Sequence, residues 1–258
     1  MSRDVISDRS MAHREIPPSP ALKANIREAT WGQMEAAGLS LAIRGTIPTF
    51  PGQNKAAERL RGLAMYQRAR TIMVPPDQAQ LQVRVNAIMD GKRLIMATPG
   101  LRDGFYLLHK GEIKARDWQQ AARSSGVRRF GTRLDTTGKE IGTIDLLATG
   151  AVAVDLQGGR IGKGSGYFDL EYMILREIGS VNEQTSVVAL VDDLQVREQV
   201  PMEEKDVAVD FICTPSRVIT IERRLARPWQ IPWDLLPEKA VKGMRPLKEL
   251  RKGSEGKD

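Results

Sequence analysis

Between Gly158 and Asp169 the chain reads GGRIGKGSGYFD, with glycine at 158, 159, 162, 164 and 166. Backbone this rich in glycine lets amide N–H groups approach an oxyanion without a Cβ in the way, and the start of a following helix adds favourable partial charge. Arg160 and Lys163 supply full positive charges: the guanidinium would grip phosphate oxygens through two bonds, and the ammonium would act as a mobile point charge. Asp169, one turn into the expected helix, is placed to bind a magnesium ion riding on those phosphates. Gly158, Gly162, Gly164, Ser165 and Gly166 would form the backbone cup. The residue types point to a cradle for a triphosphate.

Two familiar phosphate loops do not fit. A Walker A loop needs G-x-x-x-x-G-K-[S/T], whereas Gly162-Lys163 is followed by Gly164 and Gln157 stands at the first glycine position. A dinucleotide fingerprint needs G-x-G-x-x-G, and after Gly162 and Gly164 the third glycine arrives one residue early, at Gly166. The strand expected before the loop ends at Val154. The helix after it would line up Phe168, Tyr172 and Leu175, with Leu170, Ile174 and Ile178 beside them.

The elements that must hold this loop alternate along the chain. Ala21 to Ala37 reads as a helix stopped by Gly38, and Asn54 to Ala69 as a second, marked by Ala57, Leu60, Leu63, Ala64 and Tyr66. Thr71–Val74 and Arg93–Ala97 read as buried strands, with a helix from Gln80 to Asp90; the uncharged interior of Asp145–Asp155 and the β-branched, mostly apolar runs Ser186–Val191 and Arg217–Ile221 read as further strands. Apolar strands between amphipathic helices imply an α/β fold: one three-layer domain with a largely parallel central sheet covered on both faces. Residues 1–20, ending in Pro17, Pro18, Ser19 and Pro20, read as a flexible lead. Residues 21–225 form the expected domain. Residues 226–258 read as an appendage wrapping it and ending in a basic tail with Lys248, Arg251, Lys252 and Lys257.

Composition narrows the function classes. At 258 residues and 41% hydrophobic, the chain can bury a sizeable core. No apolar stretch reaches the roughly 18 residues a membrane helix needs, and the charged N-terminus does not resemble a secretory signal. The single cysteine, Cys213, forms no internal disulfide, so the expected compartment is a reducing cytoplasm. His13 and His109 are the only histidines, too few for a His-based metal site. The excess of 39 basic over 32 acidic residues suits an anionic partner.

The string G-x-R-I-G-x-G-x-G-Y-F-D, from Gly158 to Asp169, resembles the signature of the 5-formyltetrahydrofolate cyclo-ligase (methenyltetrahydrofolate synthetase) family. KANIR, Lys23 to Arg27, is similar to the family's N-terminal K-x-x-x-R. The stretch Val187 to Pro215 resembles its closing segment, with Gln195, Pro201, Asp206 and Asp210 in register. RIGKGSGYFDLEY, TPSRVI and IPTFPG look more like the paralogous branch of methenyltetrahydrofolate synthetase domain-containing proteins. The resemblance implies a Rossmann-like sheet flanked by helices, with ATP and Mg2+ as cofactors. It also implies phosphate contacts from Lys23, Arg27, Arg160 and Lys163, Tyr167 near the substrate or phosphate, and magnesium held by Asp169 and Asp206.

The activity so implied converts 5-formyltetrahydrofolate and ATP into 5,10-methenyltetrahydrofolate, ADP and phosphate. A formamide oxygen cannot leave as oxide, so ATP would phosphorylate it before the N10 amine closes the ring. The protein's work is then charge neutralisation and positioning. Two departures bear on the substrate. Gln78, Ala79 and Gln80 stand where the enzymes carry a folate-binding glutamate, with Asp77 the only acid nearby. GVRRFGTRL lacks the enzymes' proline and brings Arg128, Arg129 and Arg133. A second reading is therefore a paralogue that keeps the nucleotide loop but acts on another small molecule. A third is a non-catalytic nucleotide- or nucleic-acid-binding module resting on Arg223, Arg224 and the basic tail. Nucleic acid ranks last, because no aromatic residues interleave with these charges.

Overall fold

The structure, a computed structural model, describes residues 20–40, 43–136, 140–222 and 225–255. His13 and all but Pro20 of the expected lead lie outside the described residues, as do Arg223, Arg224 and Lys257. In chain order the helices are α1 (Pro20–Ala36), α2 (Gln53–Gly62), α3 (Ala64–Arg68), α4 (Leu81–Met89), α5 (Trp118–Ala121), α6 (Val127–Phe130), α7 (Tyr167–Glu177), α8 (Glu238–Gly243) and α9 (Arg245–Glu255). The strands are β1 (Thr71–Met73), β2 (Arg93–Ala97), β3 (Phe105–Leu108), β4 (Thr132–Leu134), β5 (Leu146–Gly150), β6 (Ala153–Asp155), β7 (Arg160–Ile161), β8 (Ser186–Leu190), β9 (Val196–Arg197), β10 (Phe211–Cys213) and β11 (Val218–Thr220).

Eight strands form one sheet in the order β11-β10-β8-β5-β1-β2-β3-β4. The five central strands run parallel, and antiparallel pairs close both flanks. Side chains alternate across it as strand geometry requires. Ile72, Leu94, Met96, Val188 and Leu190 face the layer of α1 to α6. Met73, Ile95, Ala97, Val187 and Ala189 face α7, α8 and α9. This is the three-layer α/β arrangement that the alternating pattern implies.

Two expected elements are divided. The helix anticipated over Asn54–Ala69 breaks at Leu63, whose backbone is extended (φ −75°, ψ 140°). Gly62, a poor helix former, precedes the break. The apolar run Asp145–Asp155 is two strands rather than one. β5 pairs with β1 and β8 in the large sheet. β6 then joins a second, three-stranded sheet ordered β7-β6-β9. The appendage is packed down: Ile231, Val241 and Leu247 are buried in the same core as α7. Its start is held by Arg227, whose guanidinium meets Asp210 at 2.5 Å and the carbonyl of Ala208 at 2.9 Å.

Candidate functional site

The parallel strands β1, β2 and β5 all end at one edge of the sheet. The chain proceeds from β1 outward through β2, β3 and β4, then returns to β5 on the other side of β1. That reversal is the place where open α/β sheets form ligand crevices. A cavity of about 360 Å³ lies there, walled by Pro75, Pro76 and Asp77 after β1, Thr98, Pro99 and Gly100 after β2, and Thr149 and Gly150 at the end of β5. Its far wall is the glycine loop with Arg160, Lys163, Tyr167, Asp169 and Glu171. A second cavity, of about 480 Å³, lies behind the loop against α1 and the appendage.

The glycine segment is not a single strand-to-helix loop. Asp155–Gly159 turns the hairpin between β6 and β7, and only residues 162–166 lead into α7. Gly158, expected in the cup, belongs to that hairpin. Its φ is +90°, a Cβ there would lie 2.6 Å from the Val209 carbonyl oxygen, and it lines neither cavity. Asp155 fixes the turn by accepting from the amides of Gln157, Gly159 and Val200 at 2.7–2.9 Å. Gly164 and Gly166 adopt φ of +107° and +67°, backbone that side chains disfavour. The amides opening α7 have no intrahelical acceptor.

The other expected residues gather around this loop. Lys23 and Arg27, one turn apart on α1, share a face. The Lys23 ammonium pairs with Asp206 and lies 3.1 Å from Glu203. Arg27 donates to the Gly162 carbonyl at 2.7 Å, pinning the loop where it begins, and burial lowers its pKa. Arg160 is buried, pairs with Asp169, donates to the Val207 carbonyl at 3.1 Å and stacks on Phe168 at 4.7 Å. The Val207 amide in turn donates to Asp169 at 2.9 Å. Arg160, Gly162, Ser165, Gly166, Tyr167 and Asp169 border both cavities, so the loop and the Arg160–Asp169 pair form a septum. Lys23, Arg27, Gly164 and Asp206 lie on the second cavity alone, and Lys163 on the first alone.

Several participants escape a reading of the sequence. Lys163 pairs with Asp77 at 2.7 Å across the first cavity. Arg84, fully buried on α4, donates to the carbonyls of Pro75, Pro76 and Asp77 and so holds that rim in place. Glu171 is 3% exposed, and its Oε2 has no hydrogen-bond partner. Burial, reinforced by the charges of Asp77 and Asp169, drives its pKa well above the ordinary carboxylate value. A readable signal existed for it: Glu171 is an acid among Phe168, Tyr172 and Leu175, on an otherwise apolar stretch of α7. Gln80, in the stretch where the resemblance expects the enzymes' glutamate, is fully buried with both side-chain polar atoms unpartnered. Glu203 and Lys205 join the second cavity. Burial would raise the Glu203 pKa, but hydrogen bonds from Lys205 and Lys23 bring it below its ordinary value.

Among the described residues no group of three or more His, Cys, Asp and Glu side chains is arranged to hold a metal ion. Asp169 and Asp206, which border the second cavity together with Glu203, are the donor set the resemblance names, and in this structure they are paired with Arg160 and Lys23. That set fits Mg2+, which takes one or two carboxylates and completes its shell with phosphate and water.

A mostly parallel sheet with a crevice at its reversal point and a glycine septum beside buried ion pairs defines a three-layer α/β protein with a built ligand crevice. The model of the 5-formyltetrahydrofolate cyclo-ligase family matches residues 22–215, and the chain belongs to that family. It is 36% identical over 251 residues to a methenyltetrahydrofolate synthase domain-containing protein of Bos taurus, covering 94% of this chain and 66% of that protein. With the Homo sapiens protein of the same name it is 34% identical over 246 residues, covering 92% and 63%. The chain thus spans less than two thirds of the length of these curated relatives. The NMR structure of Aquifex aeolicus 5,10-methenyltetrahydrofolate synthetase shares the fold, with a TM-score of 0.50 at 18% identity over 80% of this chain and 95% of that one. No helix among the described residues is long and apolar enough to cross a membrane.

Proposed function

We propose that the chain is an ATP- and Mg2+-dependent cyclo-ligase that converts 5-formyltetrahydrofolate into 5,10-methenyltetrahydrofolate. The observation that carries this reading is the septum: Lys23, Arg27 and Arg160 converge on the second cavity on one side of it, and the first cavity opens on the other. ATP occupies the second cavity, its phosphates against Lys23, Arg27, Arg160 and the amides of residues 162–167. The folate occupies the first cavity, with its N5-formyl oxygen toward the septum.

That oxygen attacks the γ-phosphorus and ADP leaves. N10 then adds to the activated formyl carbon, phosphate departs, and the N10 proton passes to solvent. Asp169 and Asp206 would hold Mg2+, which supplies charge neutralisation to the transferring phosphoryl group. Arg160 keeps a fixed position through Asp169 and Val207, so little reorganisation is needed as charge moves. Lys163, drawn to Asp77 in the free protein, is positioned to turn toward the transferred phosphate. A cytoplasmic setting suits the single Cys213, which is buried and whose thiol pKa burial pushes up to about 12.

A second reading, a paralogue with another acceptor, is favoured by one observation: Gln80, in the stretch where the resemblance expects the enzymes' folate-binding glutamate, is fully buried with both side-chain polar atoms unpartnered. One assay separates the two. Incubation with 5-formyltetrahydrofolate, ATP and Mg2+ should raise the absorbance of the methenyl product, and Lys163→Ala and Asp169→Ala should each reduce the rate at least about 100-fold. Tight ATP binding with no methenyl product would replace the first reading by the second.

A further inference from the structure

The second cavity has two kinds of lining. Charged groups come from α1, the septum and the Glu203–Asp206 turn. Apolar groups come largely from the appendage, Pro232, Leu235, Leu236 and Met244, together with Leu170 and Met173 of α7. The family match stops at residue 215, so family membership does not supply this wall.

The wall is anchored. Ile231, Val241 and Leu247 are sunk into the core beside α7. The Arg245 amide donates to the Arg102 carbonyl at 3.2 Å, and Thr136 Oγ1 donates to Glu249 at 2.6 Å. Yet Leu235, on the same wall, is 76% exposed, the most exposed large apolar side chain among the described residues. Leu235 is not isolated: it lines the cavity with Pro232, Leu236 and Met244, an apolar group that a ligand with an apolar face would cover.

We propose that the appendage forms the nucleobase subsite. Phosphates lie against the charged groups, and the planar base of ATP packs against the Pro232–Leu236 turn and Met244, together with Leu170 and Met173. This rests on the assignment of ATP to the second cavity. It adds that recognition of the base is contributed from beyond the family-matched span. A nucleoside triphosphate, amphipathic along its length, matches both kinds of lining; a purely anionic ligand would leave the apolar groups exposed.

The test compares two probes on the full-length chain with Mg2+: ATP and inorganic tripolyphosphate. In Leu235→Asp and in Leu235→Ala/Met244→Ala, ATP should bind about tenfold or more weakly, while tripolyphosphate binding stays within about twofold of wild type. Leu235 is exposed, so Leu235→Asp should melt at the wild-type temperature, which separates a lost contact from a lost fold. Unchanged ATP binding in both variants, or equal weakening of both probes, would overturn the nucleobase subsite and leave the phosphate assignment standing. A wild-type protein that binds neither probe would overturn both.

Discussion

Glu171 marks the sharpest conflict between a side chain and its surroundings. A carboxyl enclosed beside Asp77 and Asp169 favours its protonated form, whereas in the unfolded chain it ionises near its ordinary value of 4.5. Between that value and the raised native one, the folded state binds the extra proton. Stability contributed here is therefore greatest in acid and falls as pH rises above about 4.5, at up to about 1.4 kcal/mol per pH unit. Glu171→Gln removes the proton uptake and preserves the shape. Urea unfolding at pH 5 and pH 8 should show the variant gaining on wild type as pH rises; parallel pH profiles would refute the buried acid. The ionic residues follow another logic. Lys23, Arg160 and Lys163 each hold a carboxylate partner, so the site is close to neutral before any phosphate arrives.

Among the elements, the β6–β7 hairpin gives the clearest separation of architecture from chemistry. Gly158 sits at φ +90° with the Val209 carbonyl where a Cβ would go, and the Val209 amide donates to the Gly158 carbonyl at 2.9 Å. Gly158→Ala should cost about 1–3 kcal/mol in urea denaturation, while phosphate binding by the folded fraction is retained. Loss of binding without loss of stability would return Gly158 to the cradle. Much of the scaffold was legible because its cause is local. α1, β1, β2 and β8 follow apolar periodicity with Gly and Pro stops, and α7 follows its amphipathic stripe. The break at Leu63 and the passage from β5 to β6 were not, since an apolar run does not record which sheet it enters. For the site, residue types and local spacing nominated Arg160, Lys163 and Asp169, whereas Lys23, Arg27 and Asp206 were reached only through the family resemblance. The division into two cavities was beyond that reach. It depends on partners 86 and 183 residues apart, Asp77 with Lys163 and Lys23 with Asp206.

At the scale of the molecule, the septum separates two compartments and is shared by both. Because each compartment has its own walls, one occupant need not vacate before the other arrives. The initial-rate behaviour should accordingly be that of a ternary complex. Double-reciprocal plots at several fixed ATP concentrations should intersect, and parallel lines would instead signal a covalent phosphoprotein and a shared berth. On the proposed cyclo-ligase reading, a thin partition built around glycine and one ion pair would set the kinetic order: both reactants aboard first, transfer second, departure last.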